Sequence, residues 1–161
     1  MAAAALDRGY EQIIWIDADA LWLGNAPLLD GWAGAPGGAW FAATWHDAPG
    51  AGSGHYYDHF NSGVFLLRNH NPQVRALCQA WLDAADENHP WGEQHALHKL
   101  LPQYAEWVYA LDHAWNSVMW LPQYCAQEQH IVAWHGHADL AFGGVCEHAA
   151  RHWAKAGRSP K

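Results

Sequence analysis

Basic residues are scarce in this sequence. Its 161 residues include 8 Lys and Arg against 16 Asp and Glu, which gives a formal net charge of −8 with His neutral. Nucleic acids and anionic membrane surfaces bind proteins that carry basic patches. The charge balance therefore argues against both as partners.

Cysteine is scarce as well. The three cysteines, Cys78, Cys125 and Cys146, lie far apart, and no Cys-x-x-Cys pair occurs. Their number and spacing indicate neither a zinc knuckle nor a disulfide framework. We expect reduced, mostly buried thiols in a cytoplasmic protein.

The sequence also lacks long apolar runs. None approaches the roughly 18 residues that a membrane-spanning helix needs. The Ala-rich start has neither the basic residues nor the long apolar core of a signal peptide. We expect no membrane span and no secretion signal.

Apolar residues are nevertheless plentiful enough for one folded core. Hydrophobic residues make up 51% of the chain and charged residues 15%, and 12 Trp are present. This composition favours a single globular domain over residues 1–161 and argues against disorder. Some of the Trp side chains must fill the core, but aromatic platforms also suit hydroxyl-rich ligands such as sugars.

Residues 13–23 are the most informative stretch. Ile13 to Ile16 form a short apolar run that predicts a strand over residues 12–16, buried on both faces, and Asp17 and Asp19 follow at its C-terminal tip. Alternate residues of an extended chain point the same way. The two carboxylates could therefore converge on a hard divalent cation, Mg²⁺ or Mn²⁺. A turn-capping Asp beside a solvated Asp is the plainer alternative.

A second polar segment precedes a predicted strand. Asn61-Ser62-Gly63 stands ahead of the apolar residues 64–67. Small polar groups and a Gly allow a ligand to approach the backbone closely. A hairpin turn that leads into a core strand is the simpler interpretation.

A third polar pair opens a helix that is predicted within residues 91–101. Glu93 and Gln94 fall in its first turn, while His95 and His98 are expected on its outer face. An acidic residue in a first turn also complements the helix dipole. A structural and a functional role for Glu93 therefore both remain open.

The remaining elements are predicted from apolar patterns. Strands are expected at 39–44, 106–111 and 129–134, with a surface loop at 45–59. Asn71-Pro72 should begin a helix. Its predicted core positions recur at helical spacing and are Val74, Leu77, Cys78, Trp81, Leu82 and Ala85.

Taken together, the three polar segments resemble those of GT-A nucleotide-sugar glycosyltransferases, closest to the retaining α-galactosyl, mannosyl and xylosyltransferase group. The resemblance rests on Asp-x-Asp followed by Leu-Trp-Leu, on Phe-Asn-Ser-Gly-Val-Phe-Leu-Leu-Arg-Asn, and on Glu-Gln-x-x-Leu. It implies an α/β fold in which helices flank a mixed sheet of about five strands. It also implies sugar transfer from a UDP- or GDP-sugar to a saccharide or other hydroxyl acceptor, with retention of configuration.

The resemblance assigns roles to individual residues. Asp17, Asp19 and a late His, His135 with His137 in reserve, would hold Mn²⁺ or Mg²⁺, although a solvated loop His remains an alternative for His135. The residues that would contact the nucleotide sugar are Asp17, Ala18, Asp19, Ser62 and Gly63. Asn61, Glu93 and Gln94 would bind the transferred sugar, and Trp115-Asn116 would lie near the acceptor.

The resemblance covers roughly residues 5–140 and departs from the family in two ways. GT-A enzymes have an earlier βαβ portion that binds the nucleotide, and this chain starts after that portion would have ended. Residues 137–144 contain no Lys or Arg to grip the diphosphate. We therefore expect a partial domain that lacks the N-terminal nucleotide-binding part.

Two rival functions remain, one suggested by these departures and one by the 13 His of the sequence. One is an inactive or partner-requiring half-domain that binds metal or sugar and associates with a complementary chain or a second copy. The other is a Zn²⁺ hydrolase that would use His46, His55 and His135 with Asp17. It would bind Zn²⁺ tightly and show no preference for nucleotides.

Overall fold

The computed structural model of the chain describes residues 2–23, 35–47, 58–85, 92–118 and 129–133. Within these ranges the helices are α1 (Ala2–Asp7), α2 (Gln73–Ala84) and α3 (Gly92–Leu100), with 3-10 helices at Leu101–Trp107 and His113–Asn116. The strands are β1 (Gln12–Ile16), β2 (Ala20–Trp22), β3 (Phe41–Asp47), β4 (Asp58–Arg68), β5 (Val108–Leu111), β6 (Ser117–Val118) and β7 (Ile131–Ala133). The described residues thus form the predicted α/β fold. None of their helices is long and apolar enough to cross a bilayer.

The described strands form two mixed sheets. The larger has the order β1-β4-β3-β5, with β4 antiparallel to both of its neighbours and β3 parallel to β5. The smaller has the order β2-β7-β6. Sequence patterns predicted one sheet of about five strands. They could not show this division, because strand pairing is set by contacts between distant residues.

Two apolar clusters cover the opposite faces of the larger sheet. Side chains alternate along β4, so Phe65 and Leu67 join one cluster while Val64 and Leu66 join the other. The first cluster includes core residues of all three helices, namely Leu6, Val74, Leu77 and Leu97. The second includes Trp115 of a 3-10 helix and Ile131 of the smaller sheet. The larger sheet is therefore the middle layer.

Strand β1 has the predicted bounds but not the predicted burial. Its residues Gln12–Ile16 are all partly exposed, whereas the sequence predicted burial on both faces. The reason is its position, because β1 is the last strand in the described order and pairs there with β4.

The segment predicted as a loop at 45–59 is partly sheet. Strand β3 continues to Asp47 and β4 begins at Asp58, so the two strands extend further than their apolar residues indicated. Residues 48–57 lie outside the described ranges.

Helix α2 is positioned largely as predicted. The side-chain oxygen of Asn71 accepts a hydrogen bond from the Gln73 N–H at 2.9 Å, which caps the first turn. Leu77 is fully buried, but Leu82 is 70% exposed, and its assignment to the core is wrong. Leu82 follows Leu77 by five residues, which places it about 140° around the helix.

Cys78 also lies on α2, and it is partly buried with a free thiol. Desolvation raises the pKa of this thiol to about 11. Because the thiolate is the reactive form, this shift lowers the reactivity of Cys78 at neutral pH. Cys125 and Cys146 lie outside the described ranges.

Leu77 and Leu82 provide a matched pair for testing this arrangement. We expect Leu77→Ala to lower the free energy of unfolding by about 2–5 kcal/mol, because it empties a fully buried site. Leu82→Ala removes the same atoms from an exposed site and should change stability by less than about 0.5 kcal/mol. Urea unfolding followed by circular dichroism measures both, and equal losses would show that the assigned helix face is wrong.

Candidate functional site

A large bulge interrupts β4 on the side that faces β3. Ala43 of β3 pairs with Phe65, and Trp45 pairs with Phe60, so two steps along β3 correspond to five along β4. The β4 residues 61–64 therefore face a single β3 residue. A bulge takes backbone groups out of the ladder and aims side chains in new directions, which is why bulges are frequent beside active sites.

The Asn61-Ser62-Gly63 segment forms most of this bulge. Its interpretation as a turn ahead of a strand is wrong, since the strand begins earlier, at Asp58. The β3 residue opposite the bulge is Thr44, which is fully buried. The Thr44 hydroxyl oxygen has no hydrogen-bond partner in the described part of the chain.

The tip of β1 is joined to the bulge through backbone atoms. The Asp17 N–H donates to the Gly63 carbonyl at 2.8 Å, and the Trp15 indole N–H donates to Asp17 Oδ1 at 2.8 Å. The chain then turns, because the Ala20 N–H donates to the Asp17 carbonyl at 3.1 Å. Asp17 and Asp19 therefore belong to a tight turn. The alternation of an extended strand, from which their convergence was argued, does not apply.

The first turn of α3 meets the other side of the bulge. The Ser62 N–H donates to Gln94 Oε1 at 3.2 Å, and the Ser62 hydroxyl lies 3.0 Å from Glu93 Oε1 and 3.4 Å from Gln94 Oε1. The Glu93 carbonyl also accepts a hydrogen bond from the Trp81 indole N–H at 2.6 Å. These bonds fix the start of α3 against both β4 and α2.

Asn61 connects the bulge to the 3-10 helix at His113–Asn116. Its Oδ1 accepts from the Gly63 N–H at 2.9 Å and from Asn116 Nδ2 at 2.8 Å. Asn116 is 0% exposed. Asn116 therefore orients the Asn61 side chain from inside the fold, and the position of Trp115-Asn116 near the acceptor stays a prediction.

The three polar segments of the sequence therefore meet at one place in the fold. Hydrogen bonds join the bulge to the β1 tip, to the first turn of α3 and to the buried 3-10 helix. Ala18 is exposed in the turn between the two Asp residues. His135 and His137 lie outside the described ranges, as does His55 of the alternative zinc set, and for His46 only the backbone in β3 is described.

The described residues include two possible ligands for a divalent cation. Asp17 and Asp19 supply hard carboxylate oxygens within one tight turn, and such oxygens suit Mg²⁺ or Mn²⁺. Within the described ranges, no group of three or more His, Cys, Asp and Glu side chains is arranged around one point. Two predicted ligands are thus near each other in the chain and fit such an ion. The position of the third, His135, is not described.

Sequence reasoning missed three residues that support the site. Thr44 is a buried polar residue beside the bulge, and Trp15 and Trp81 anchor Asp17 and Glu93 through indole N–H groups. The abundance of Trp indicated that some indole N–H groups would donate to acceptors inside the fold, because buried indoles are usually hydrogen-bonded. Nothing in the local sequence indicates which Trp does so.

The fold is similar to those of solved glycosyltransferases. Mouse xyloside xylosyltransferase 1 in its apo form matches with a TM-score of 0.55 and 18% identity, over 86% of this chain and 63% of that one. A glycosyltransferase involved in the glycosylation of the major capsid of PBCV-1 matches with a TM-score of 0.60 and 17% identity, over 93% and 71%. Galactosyltransferase LgtC, in complex with donor and acceptor sugar analogues, matches with a TM-score of 0.57 and 16% identity, over 99% and 68%.

These similarities identify the class of fold. At such low identity they show architecture, and the chain has the GT-A-type glycosyltransferase fold that its motifs predicted. The chain spans 63% of the length of the mouse xylosyltransferase. No protein-family model matches the sequence, and no curated protein matches it.

Thr44 offers a test of the bulge. Because its buried hydroxyl lacks a described partner, replacement by the nearly isosteric Val should remove a desolvation cost. We expect Thr44→Val to raise the free energy of unfolding by about 1 kcal/mol in urea titrations, while Thr44→Ser, which keeps the hydroxyl, should not. A loss of more than about 1 kcal/mol in the Val variant would show that the hydroxyl makes a stabilising bond.

Proposed function

We propose that this chain is the metal-dependent sugar-transfer part of a glycosyltransferase, which moves a sugar from a UDP- or GDP-sugar to a hydroxyl acceptor. The observation that carries the proposal is the convergence of the Asp17 turn and the Glu93-Gln94 helix start on the β4 bulge. These segments are far apart in sequence. Apolar packing alone would not require polar residues from each of them to meet.

The metal would be held by Asp17, Asp19 and His135, with His137 as the alternative third ligand. A divalent cation held by these residues would supply Lewis-acid chemistry and would neutralise charge on the leaving phosphate without any proton transfer. The cation is needed because a diphosphate is strongly anionic. The carboxylates of Asp17, Asp19 and Glu93 would repel the diphosphate unless a cation lay between them.

The bulge residues have separate roles in this proposal. Gly63 leaves room for the ligand beside the backbone, and its carbonyl fixes the Asp17 amide. The Ser62 hydroxyl, 3.0 Å from Glu93 Oε1, holds that carboxylate at the start of α3. Glu93, Gln94 and Asn61 then bind the hydroxyls and ring of the sugar and support the positive charge that develops there. Ala18 lies at the exposed edge of the nucleotide site.

Retention of the anomeric configuration is part of the proposal and is supported by the resemblance of the motifs to retaining enzymes. The acceptor is a saccharide or another hydroxyl compound, as would suit a site whose surroundings are rich in Trp. Residues outside the described ranges, including 48–57, would complete its surroundings.

A partner-requiring half-domain is the second candidate, and one observation favours it. The partly exposed β1, which leads into the Asp17 turn, is the last strand of the described sheet. A strand from a complementary chain or a second copy could add to such an edge. In this case the nucleotide would bind fully only after association.

Calorimetric titration of UDP, with GDP in parallel, tests the metal claim. We expect binding in the presence of Mn²⁺ and none in EDTA, because the diphosphate alone is repelled by the carboxylates. Asp19→Ala should weaken Mn²⁺-dependent binding by on the order of 100-fold, equivalent to about 2.8 kcal/mol.

The matched control is Asp83→Asn, which removes an exposed carboxylate on α2. It should bind the Mn²⁺ complex of the nucleotide as the unaltered chain does. Equal affinity of the Asp19→Ala variant would exclude this metal site. Binding that appears only at concentrations where the chain self-associates would favour the half-domain.

A further inference from the structure

The ladder between β3 and β4 resumes beyond the bulge for three residue pairs, which we call the outer ladder. These pairs are Trp45 with Phe60, His46 with His59, and Asp47 with Asp58. The first pair is anchored by contacts, since the Trp45 and Phe60 rings lie with their centroids 4.9 Å apart. The Trp45 carbonyl also accepts a hydrogen bond from His113 Nε2 at 3.0 Å. These contacts hold the two strands in the register that sets the next two pairs.

The other two pairs of the outer ladder each join two residues of the same type. His46 lies directly opposite His59, and Asp47 lies directly opposite Asp58. Opposite residues of an antiparallel ladder share one face of the sheet, and successive pairs alternate between the faces. The His pair is therefore on one face and the Asp pair on the other. Like charges directly opposite each other destabilise a ladder, so the Asp pair favours a nearby cation.

A His pair in this register suits a transition-metal ion. Residues directly opposite each other have Cβ atoms about 4.5–5.5 Å apart. Two imidazoles at this separation can bind one ion, because each nitrogen lies about 2.0–2.1 Å from a bound Zn²⁺. Imidazole suits Zn²⁺, Cu²⁺ and Ni²⁺, whereas carboxylate and water oxygens suit Mg²⁺ and Mn²⁺. The register thus places two ligands of the kind that Zn²⁺ prefers at one position of the sheet.

Charge favours a cation over an anion at the His pair. Two protonated imidazoles could in principle donate to an anion such as phosphate. The Asp pair, however, is the next pair along the strands, about 3.4 Å away along the chain direction. This separation is well within the Debye length of about 8 Å at physiological ionic strength, so the two carboxylates attract a cation to the His pair and oppose an anion.

We propose that His46 and His59 form a binding site for Zn²⁺ or a related transition-metal ion at the outer ladder. The ion joins β3 to β4 beyond the bulge, where three described pairs hold the strands together. Two protein ligands leave the other positions of a tetrahedral ion to water. The site includes neither Asp17 nor a nucleotide, so it is independent of the proposed function. It also differs from the zinc-hydrolase set, because it requires His59.

Substitution of each His tests the pair. Zn²⁺ is titrated calorimetrically into the metal-free chain without nucleotide, and His46→Asn and His59→Asn are compared with the unaltered chain. We expect each substitution to weaken the tightest Zn²⁺ site at least about tenfold, because even the loss of a group that orients a ligand costs this much. The control is His98→Asn, which changes an exposed His on α3 and should leave this binding unchanged. Thermal unfolding in EDTA verifies that each variant folds.

The absence of Zn²⁺ binding in the unaltered chain, or unchanged binding in the His59→Asn variant, would overturn the proposal. A loss in the His46→Asn variant alone would assign the ion to the alternative set with His55 and His135, and would overturn the pair. An equal loss in the His98→Asn control would overturn it as well. Binding of UDP with Mn²⁺ is a separate measurement, so the proposed function can fail while the His pair still binds Zn²⁺.

The unaltered chain provides a second test that does not depend on the folding of a variant. Ni²⁺ also binds imidazole, and as a paramagnetic ion it broadens the nuclear magnetic resonance signals of nearby amides. We expect the amide signals of His46 and His59 to broaden together, at a lower Ni²⁺ concentration than the amide signal of His98. Broadening of only one of the two, or equal broadening at His98, would overturn the proposal.

Discussion

The backbone groups released by the β4 bulge are the constraint on which the rest of the site depends. Between Phe60 and Phe65 the ladder with β3 is lost, and the buried N–H groups there must find other partners. Gln94 satisfies Ser62, and Asn61 satisfies Gly63. These two hydrogen bonds also hold other elements against the bulge. Gln94 lies in the first turn of α3, and the Asn61 side chain is oriented by Asn116 of the buried 3-10 helix. The irregularity in the strand thereby assembles the polar residues that the proposed chemistry needs.

Charge sets the second requirement of the site. The bond between the Asp17 N–H and the Gly63 carbonyl joins the turn that contains Asp17 and Asp19 to the bulge. In the proposed function, this pair of carboxylates favours a cation and opposes a free phosphate. In the proposed function, the neutral carboxamides of Asn61 and Gln94 would bind hydroxyl oxygens of the sugar. The site would then divide into a cation-binding part at the β1 tip and a sugar-binding part at the start of α3.

Much of the fold could be predicted from local sequence. Strand β1, the capped helix α2 and the first turn of α3 each have a periodicity or a capping residue that specifies them. The bulge could not be predicted, because it exists only in the register between β3 and β4. The burial of Asn116 depends on distant packing as well. The convergence of Asp17 and Asp19 was predicted from the alternation of an extended strand, whereas the structure places both residues in a tight turn. The exposure of Leu82 shows that helical spacing alone assigns the edge of a buried face poorly.

Paramagnetic broadening by Mn²⁺ tests most directly whether the β1 tip and the bulge form one metal-nucleotide site. The amide signals of the ¹⁵N-labelled chain are followed while Mn²⁺ is added with UDP or GDP, and Mg²⁺ serves as the diamagnetic control. We expect the Asp17 and Gly63 amides to broaden together at low Mn²⁺, while the amide of Asp83, beside an exposed carboxylate on α2, stays sharp. Broadening that is equal at Asp83, or absent from Asp17 and Gly63, would contradict the account.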